Sequence, residues 1–308
     1  MRTEPTGPTI GWDVVRDVSQ VLEYHFMVNA LLAGGVVAVM AGLVGWMMVL
    51  RRETFAGHTL AMMAFPGASG AALLGVPAAW GYFAFCGAGA LAIGRFAGAE
   101  RRSWSERSAN TGAVQALALA MGFLFVSLYG GVLGDLESVL FGNLLGVSDT
   151  QLLGLTGVAA AAVVALAALA RPLLFASVDS DAAAARGLPV QALSISFLAL
   201  LGLAVAATSQ ITGVMLVFAL LVAPAASAQA LTARPLPSLG ITVALGLLVV
   251  WLGLGISYYS VYPAGFFITV ISFAVYLLAR LFAMALARRS RERAPAASRP
   301  GPRRGVIS

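Results

Sequence analysis

The chain has 308 residues, 60% of them hydrophobic and 10% charged, with a formal net charge of +6. All 19 basic residues are Arg; with no Lys to place on phosphates or carbonyls, both a P-loop ATPase and Schiff-base chemistry are excluded. Soluble domains carry about 25% charged residues, so charge this sparse points to an all-α polytopic membrane protein.

Residues 1–25 form a polar head. Val14, Val15, Val18, Val21 and Leu22 share one helical face, away from Asp13, Arg16 and Asp17. That pattern predicts a short helix lying on the membrane surface. The head lacks the basic start and small-residue cleavage site of a signal peptide, so the first span is expected to act as the targeting signal. Spans are predicted at 26–50, 54–76, 78–97, 111–130, 151–170, 190–208, 211–231, 237–256 and 264–286. The clearest stretches run from Gly187 to Ala233 and from Pro235 to Ala279, neither of which holds an acidic or basic residue. Each exceeds twice the roughly 20 residues of one crossing.

Arginines between the spans orient them. Arg51 and Arg52 follow the first span, and Arg95, Arg101, Arg102 and Arg107 surround the loop after the third. Arg171 and Arg186 border the loop after the fifth, Arg234 follows the seventh, and the tail is Arg-rich from Arg288 to Arg304. These are alternate loops. The others hold Asp135, Glu137 and Asp149 and no Arg. About nine transmembrane helices, with the N-terminus outside and the C-terminus cytoplasmic, satisfy every loop. The transmembrane body is thus 26–286, and the basic tail 287–308 is expected to be disordered and attracted to anionic lipid.

Segment 131–150 is too broken to span and reads as a half-buried helix that dips back into either the outer leaflet or the bundle. Glycines such as Gly34, Gly45, Gly67 and Gly87 suggest close helix packing. Pro66 and Pro224 lie inside apolar runs and are expected to kink their helices and free carbonyls at depth. Cys86, the single cysteine, reads as a small core residue.

Ionisable groups inside spans are costly and tend to be functional. Here the inventory is short. His58 lies in the second span beside Met62 and Met63, and His25 at the outer end of the first. No span interior holds Asp or Glu, which argues against a proton- or sodium-coupled carrier. HExxH, a pair of membrane aspartates and a Gly-x-Ser-x-Gly elbow are all absent, which argues against an intramembrane enzyme. His58 and Met62 stand four apart, hence on one helix face, where imidazole and thioether could meet a borderline or soft metal ion. A lone His near a helix start also serves as an ordinary polar residue, and Met as plain packing. The loop Ser177 to Val190 reads as a short helix with acidic Asp179 and Asp181 at its start and Arg186-Gly187 at its end. Such a helix either connects two spans or docks into another subunit.

Four stretches resemble the zinc/manganese-type ABC transporter permeases. They are MVLRRETFAGHTLAMMAFPGASGAALLG (Met48 to Gly75), SVLFGNLLGVS (Ser138 to Ser148), Asp181 to Gly187, and TGVMLVFALLVAPAASA (Thr212 to Ala228). Together they extend the resemblance over about residues 26–285. It implies a membrane permease without its own ATPase site, a transport subunit rather than an enzyme, working as a homodimer or paired permease. Cytoplasmic ABC ATPase subunits would drive it and an extracytoplasmic metal-binding protein would feed it; nucleic acid is not an expected partner. Asp181, Ala185, Arg186 and Gly187 would fall on the segment that couples to the ATPase. No permanently bound cofactor is implied, only a transported zinc or manganese ion. The chain departs from the pattern at one place. Family members commonly carry Asp where His58 stands and His where Met62 stands, the positions held to bind metal in transit. Imidazole plus thioether suits zinc, or copper in its reduced state, better than manganese. The alternative cargo is a metal chelate, cobalamin or an iron-siderophore, carried by permeases of related fold.

Overall fold

The computed structural model describes residue 20 and residues 23–97, 104–129, 142, 144–260 and 262–293. Among these residues every element is helical. They are α1 (His25–Leu50), α2 (Thr54–Leu74), α3 (Ala78–Ala97), α4 (Trp104–Tyr129), α5 (Asp149–Val178), α6 (Ser180–Ala185), α7 (Val190–Leu231), α8 (Pro235–Tyr258) and α9 (Ala264–Arg293), with a 3-10 turn at Leu144–Gly146. Nearly all of the interfacial helix expected in the head, residues 131–141 of the re-entrant segment and the tail beyond Arg293 lie outside the described residues.

α7 sits at the centre, packed against α1, α2, α3, α5, α8 and α9. Its side chains Phe197, Leu201, Val205, Leu220 and Leu221 are fully or almost fully buried. It is not straight. Ser194 meets Arg51 and Gln229 donates to the Trp46 carbonyl at 2.8 Å, both at the C-terminal end of α1. In a straight helix Ser194 and Gln229 would stand about 52 Å apart, at 1.5 Å per residue. The chain therefore doubles back between them. The reversal falls at Gly213, whose φ of 75° and ψ of 164° lie where only glycine is at ease. Two arms result, 190–212 and 214–231, close to the two spans read from the sequence. Pro224 remains inside the second arm, and the break falls eleven residues earlier than the expected proline kink. The backbone at Gly142 lies directly on Ile211, Thr212 and Gly213.

Six described helices are long and apolar enough to cross a membrane: α1, α4, α5, the first arm of α7, α8 and α9. α2 and α3 are not among them, and the second arm of α7 is short. For α2 the physical reason is its place inside the bundle. Nearly every residue from Ala56 to Ala71 is buried. A helix covered by other helices exchanges Leu for Gly, Ala, Ser and Thr, which lowers its hydropathy while allowing close approach. Gly67 on α2 and Gly81 on α3 cross backbone to backbone, and Gly45 on α1 lies against the Leu221 carbonyl. The expectation of close packing does not extend to Gly87, which faces open space.

α5 starts at a capping box. Ser148 Oγ accepts from the Gln151 N–H at 3.3 Å, and Gln151 Oε1 accepts from the Ser148 N–H at 3.0 Å. At 30 residues it is about 45 Å long, against a hydrocarbon core of about 30 Å. It outruns the expected span 151–170 and carries α6 at its projecting end. α9 likewise continues past 286 to Arg293.

The bundle has two distinct ends. At one, Arg51 and Arg52 (end of α1), Arg95 (end of α3), α6 and Arg234 (start of α8) gather, tied by Arg51 to Ser194, Gly94 to Ile195 and Trp46 to Ser238. At the other, Tyr24 packs on Tyr258 at 6.1 Å, and His25 meets Asp149 at 3.0 Å. The Arg-bearing ends thus share one side of the molecule.

Candidate functional site

Two sets of residues were expected to carry function, and the structure places them on different elements. The first set lies on α2. After α1 the chain turns through Arg51 and Arg52, the latter in the left-handed region at φ 58°. α2 then rises, and His58 stands one turn in. Its ring is half-buried and meets the Phe218 ring edge-on, centroids 4.9 Å apart, on the second arm of α7. Nδ1 of His58 is buried and has no hydrogen-bond partner among the described residues. A buried polar atom left unpaired costs about 1–3 kcal/mol, so its retention calls for a reason.

Met62 lies one turn further on the same face, half-buried against the core. Met63 diverges from it and packs on Gly89 of α3. Thr59, fully buried, donates to Gln115 Oε1 at 3.1 Å and fastens α2 to α4. Pro66 stands four residues beyond Met62 and has no N–H to offer the Met62 carbonyl. Within two turns α2 thus presents an unpaired imidazole nitrogen, a thioether and a carbonyl lacking its usual helical donor. No group of three or more His, Cys, Asp or Glu able to hold a metal ion occurs among the described residues. Cys86 is buried, with its Sγ 3.5 Å from the Leu60 carbonyl, as a core residue should be.

The second set lies on α6. Asp179 caps it by accepting from the Ala182 N–H at 2.9 Å. Gly187, at φ 79°, ends it: its N–H reaches the Ala184 carbonyl and the Leu188 N–H reaches that of Ala183, a Schellman closure. Ala183 is buried beneath, whereas Asp181, Ala185, Arg186 and Gly187 are all exposed. The Arg186 guanidinium stacks over Phe175 at 5.1 Å, so one charged residue also holds α6 down on α5. The result is a small rigid helix presented to solvent at the Arg-bearing end.

Three contributors escaped the sequence reading. Phe218, which abuts His58, reads as one more apolar residue in a long apolar run. Arg51 reads as a topology signal, yet it joins three elements. Asn29, buried in α1, donates to Asp149 Oδ1 at 2.6 Å and to the Val147 carbonyl at 3.4 Å, closing the far end of α1 on the start of α5. Only an Asn amid a hydrophobic span hinted at that role.

A family model described as the ABC 3 transport family matches residues 23–283. The chain belongs to this family. It is accordingly a metal ABC transporter permease of a bacterial membrane, as the four sequence blocks implied. The manganese transport system membrane protein MntC of Halalkalibacterium halodurans is 29% identical over 263 residues, 85% of this chain and 89% of that one. The chelated iron transport system membrane protein YfeC of Yersinia pestis is 30% identical over 264 residues, 86% of this chain and 88% of that one. Among solved structures, PsaBC from Streptococcus pneumoniae in complex with Fab superposes with a TM-score of 0.77 at 26% identity, covering 89% of this chain and 99% of that one.

Proposed function

We propose that this permease imports a divalent first-row metal ion, zinc before manganese, in nine membrane passes with its N-terminus outside and its C-terminus in the cytoplasm. Cytoplasmic ABC ATPase subunits supply the energy, since the chain has no Lys for a P-loop of its own. An extracytoplasmic metal-binding protein delivers the ion. The observation that carries this reading is His58: an imidazole nitrogen unpaired inside a helical bundle, with Met62 one turn away.

The donor chemistry favours zinc. Imidazole suits zinc, whereas manganese prefers carboxylates, and α2 offers none. Zinc takes four ligands. One copy brings His58 and Met62, which supports a paired permease in which two α2 helices complete the shell. The reversal at Gly213 supports nine passes, and the gathering of Arg-bearing ends on one side supports the orientation. The exposed α6, with Asp181, Ala185, Arg186 and Gly187, then faces the ATPase.

A metal chelate is the second reading, favoured by the relative named for chelated iron. Uptake of the bare ion by wild-type cells, with no chelator present, separates the two. Zinc or manganese uptake by cells carrying His58→Ala should fall to background while the protein stays in the membrane; full uptake would remove His58 from the path. Charge reversal on α6, Asp181→Arg with Arg186→Glu, should abolish co-purification of the ATPase from an intact permease.

A further inference from the structure

Arg51 joins several elements through one charged side chain, and metal binding gives it no task. It opens the turn between α1 and α2. Its side chain is only 8% exposed, although its neighbour Arg52 is exposed. Nε and Nη2 hold Glu53 Oε1 at 3.2 and 2.9 Å. Nη1 donates to Ser177 Oγ at 3.3 Å and Nη2 to Ser194 Oγ at 2.8 Å. The guanidinium also lies over the Phe197 ring, 5.2 Å from its centroid.

The placement of these partners is specific. Ser177 stands three residues before α6 begins, and Ser194 stands seven residues after Gly187 ends it. The two serines are the legs on which α6 hangs. Glu53 is the residue that leads into α2, five positions before His58. One planar fork therefore clamps both legs of the exposed helix to the root of the helix that bears the imidazole. A fork with five fixed donors can bridge a carboxylate and two hydroxyls at once; an ammonium cannot hold all three in one geometry.

We propose that Arg51 is a positioning residue for transport: it carries displacement of α6 to the base of α2, and so to His58. This rests on the reading of α6 as the helix that meets the ATPase. Without the fork, α6 still docks and the ATPase still turns over, but α2 no longer follows.

The test uses the assembled transporter, permease with its ATPase and binding protein, in proteoliposomes with Zn2+ as the probe. Arg51→Lys keeps the charge and the Glu53 pair while losing the bridge. It should co-purify with the ATPase at normal yield and hydrolyse ATP, with zinc moved per ATP falling about tenfold, the scale of an ordinary coupling free energy. Ser177→Ala with Ser194→Ala removes the far partners and leaves Arg51 in place. It should lower the same ratio, and it decides the matter if the Lys variant fails to insert. A purely structural role would reduce the yield and leave zinc per ATP unchanged; that result, or a normal ratio in both variants, overturns the proposal. Charge reversal at Asp181 and Arg186 is the control. If it leaves ATPase binding and zinc transport intact, the docking reading falls and takes this inference with it. If it detaches the ATPase while the Arg51 variants stay normal, the docking reading stands and this inference alone falls.

Discussion

Among the described residues, His58 has no hydrogen bond at Nδ1 to lose when it is replaced. The buried nitrogen costs the fold about 1–3 kcal/mol as it stands. His58→Ala removes that cost and opens a small void against Phe218, so the two effects oppose each other. Membrane yield should hold near wild type while metal uptake collapses. A parallel fall in yield and uptake would make the ring a packing residue. Met62→Leu conserves volume, which usually costs under about 1.5 kcal/mol, and removes only the sulfur. Uptake at limiting zinc should fall, by less than for His58→Ala, with thermal stability in detergent unchanged. Unchanged uptake would return Met62 to the core.

Gly213 governs the central element. Its φ of 75° and ψ of 164° cost any other residue about 1–3 kcal/mol. Gly213→Ala should therefore lower membrane yield and detergent melting temperature clearly. Pro224→Ala should do little, because Pro224 already lies within regular helix. Equal effects would contradict the reversal. The contrast also shows what the sequence could and could not reveal. Proline advertises a break because it lacks an N–H, but a packed helix can absorb it. Gly213 breaks the helix because the chain must return toward α1, and that requirement belongs to the tertiary fold. The capping box at Ser148 and Gln151, by contrast, is a local signal, although the sequence reading places the start of this span only at 151. Asp179 and Gly187 are legible as the ends of α6, whose unexpected part is Arg186 stacked on Phe175. Arg51 was legible only as charge, since Ser177 and Ser194 lie more than a hundred residues away along the chain.

At the scale of the whole molecule, the bundle joins an exposed helix at one end to a half-buried imidazole on α2. The family match places the chain among metal ABC transporter permeases, and His58 with Met62 is the donor pair proposed above for its cargo. The relatives named for manganese and for chelated iron leave the cargo to be decided by chemistry. The account is tested most directly by the elemental content of whole cells lacking this permease, compared with the parent under metal limitation. It predicts a selective loss of zinc, restored by the wild-type chain and not by His58→Ala. Cellular zinc and manganese that match the parent, or full restoration by His58→Ala, would contradict it.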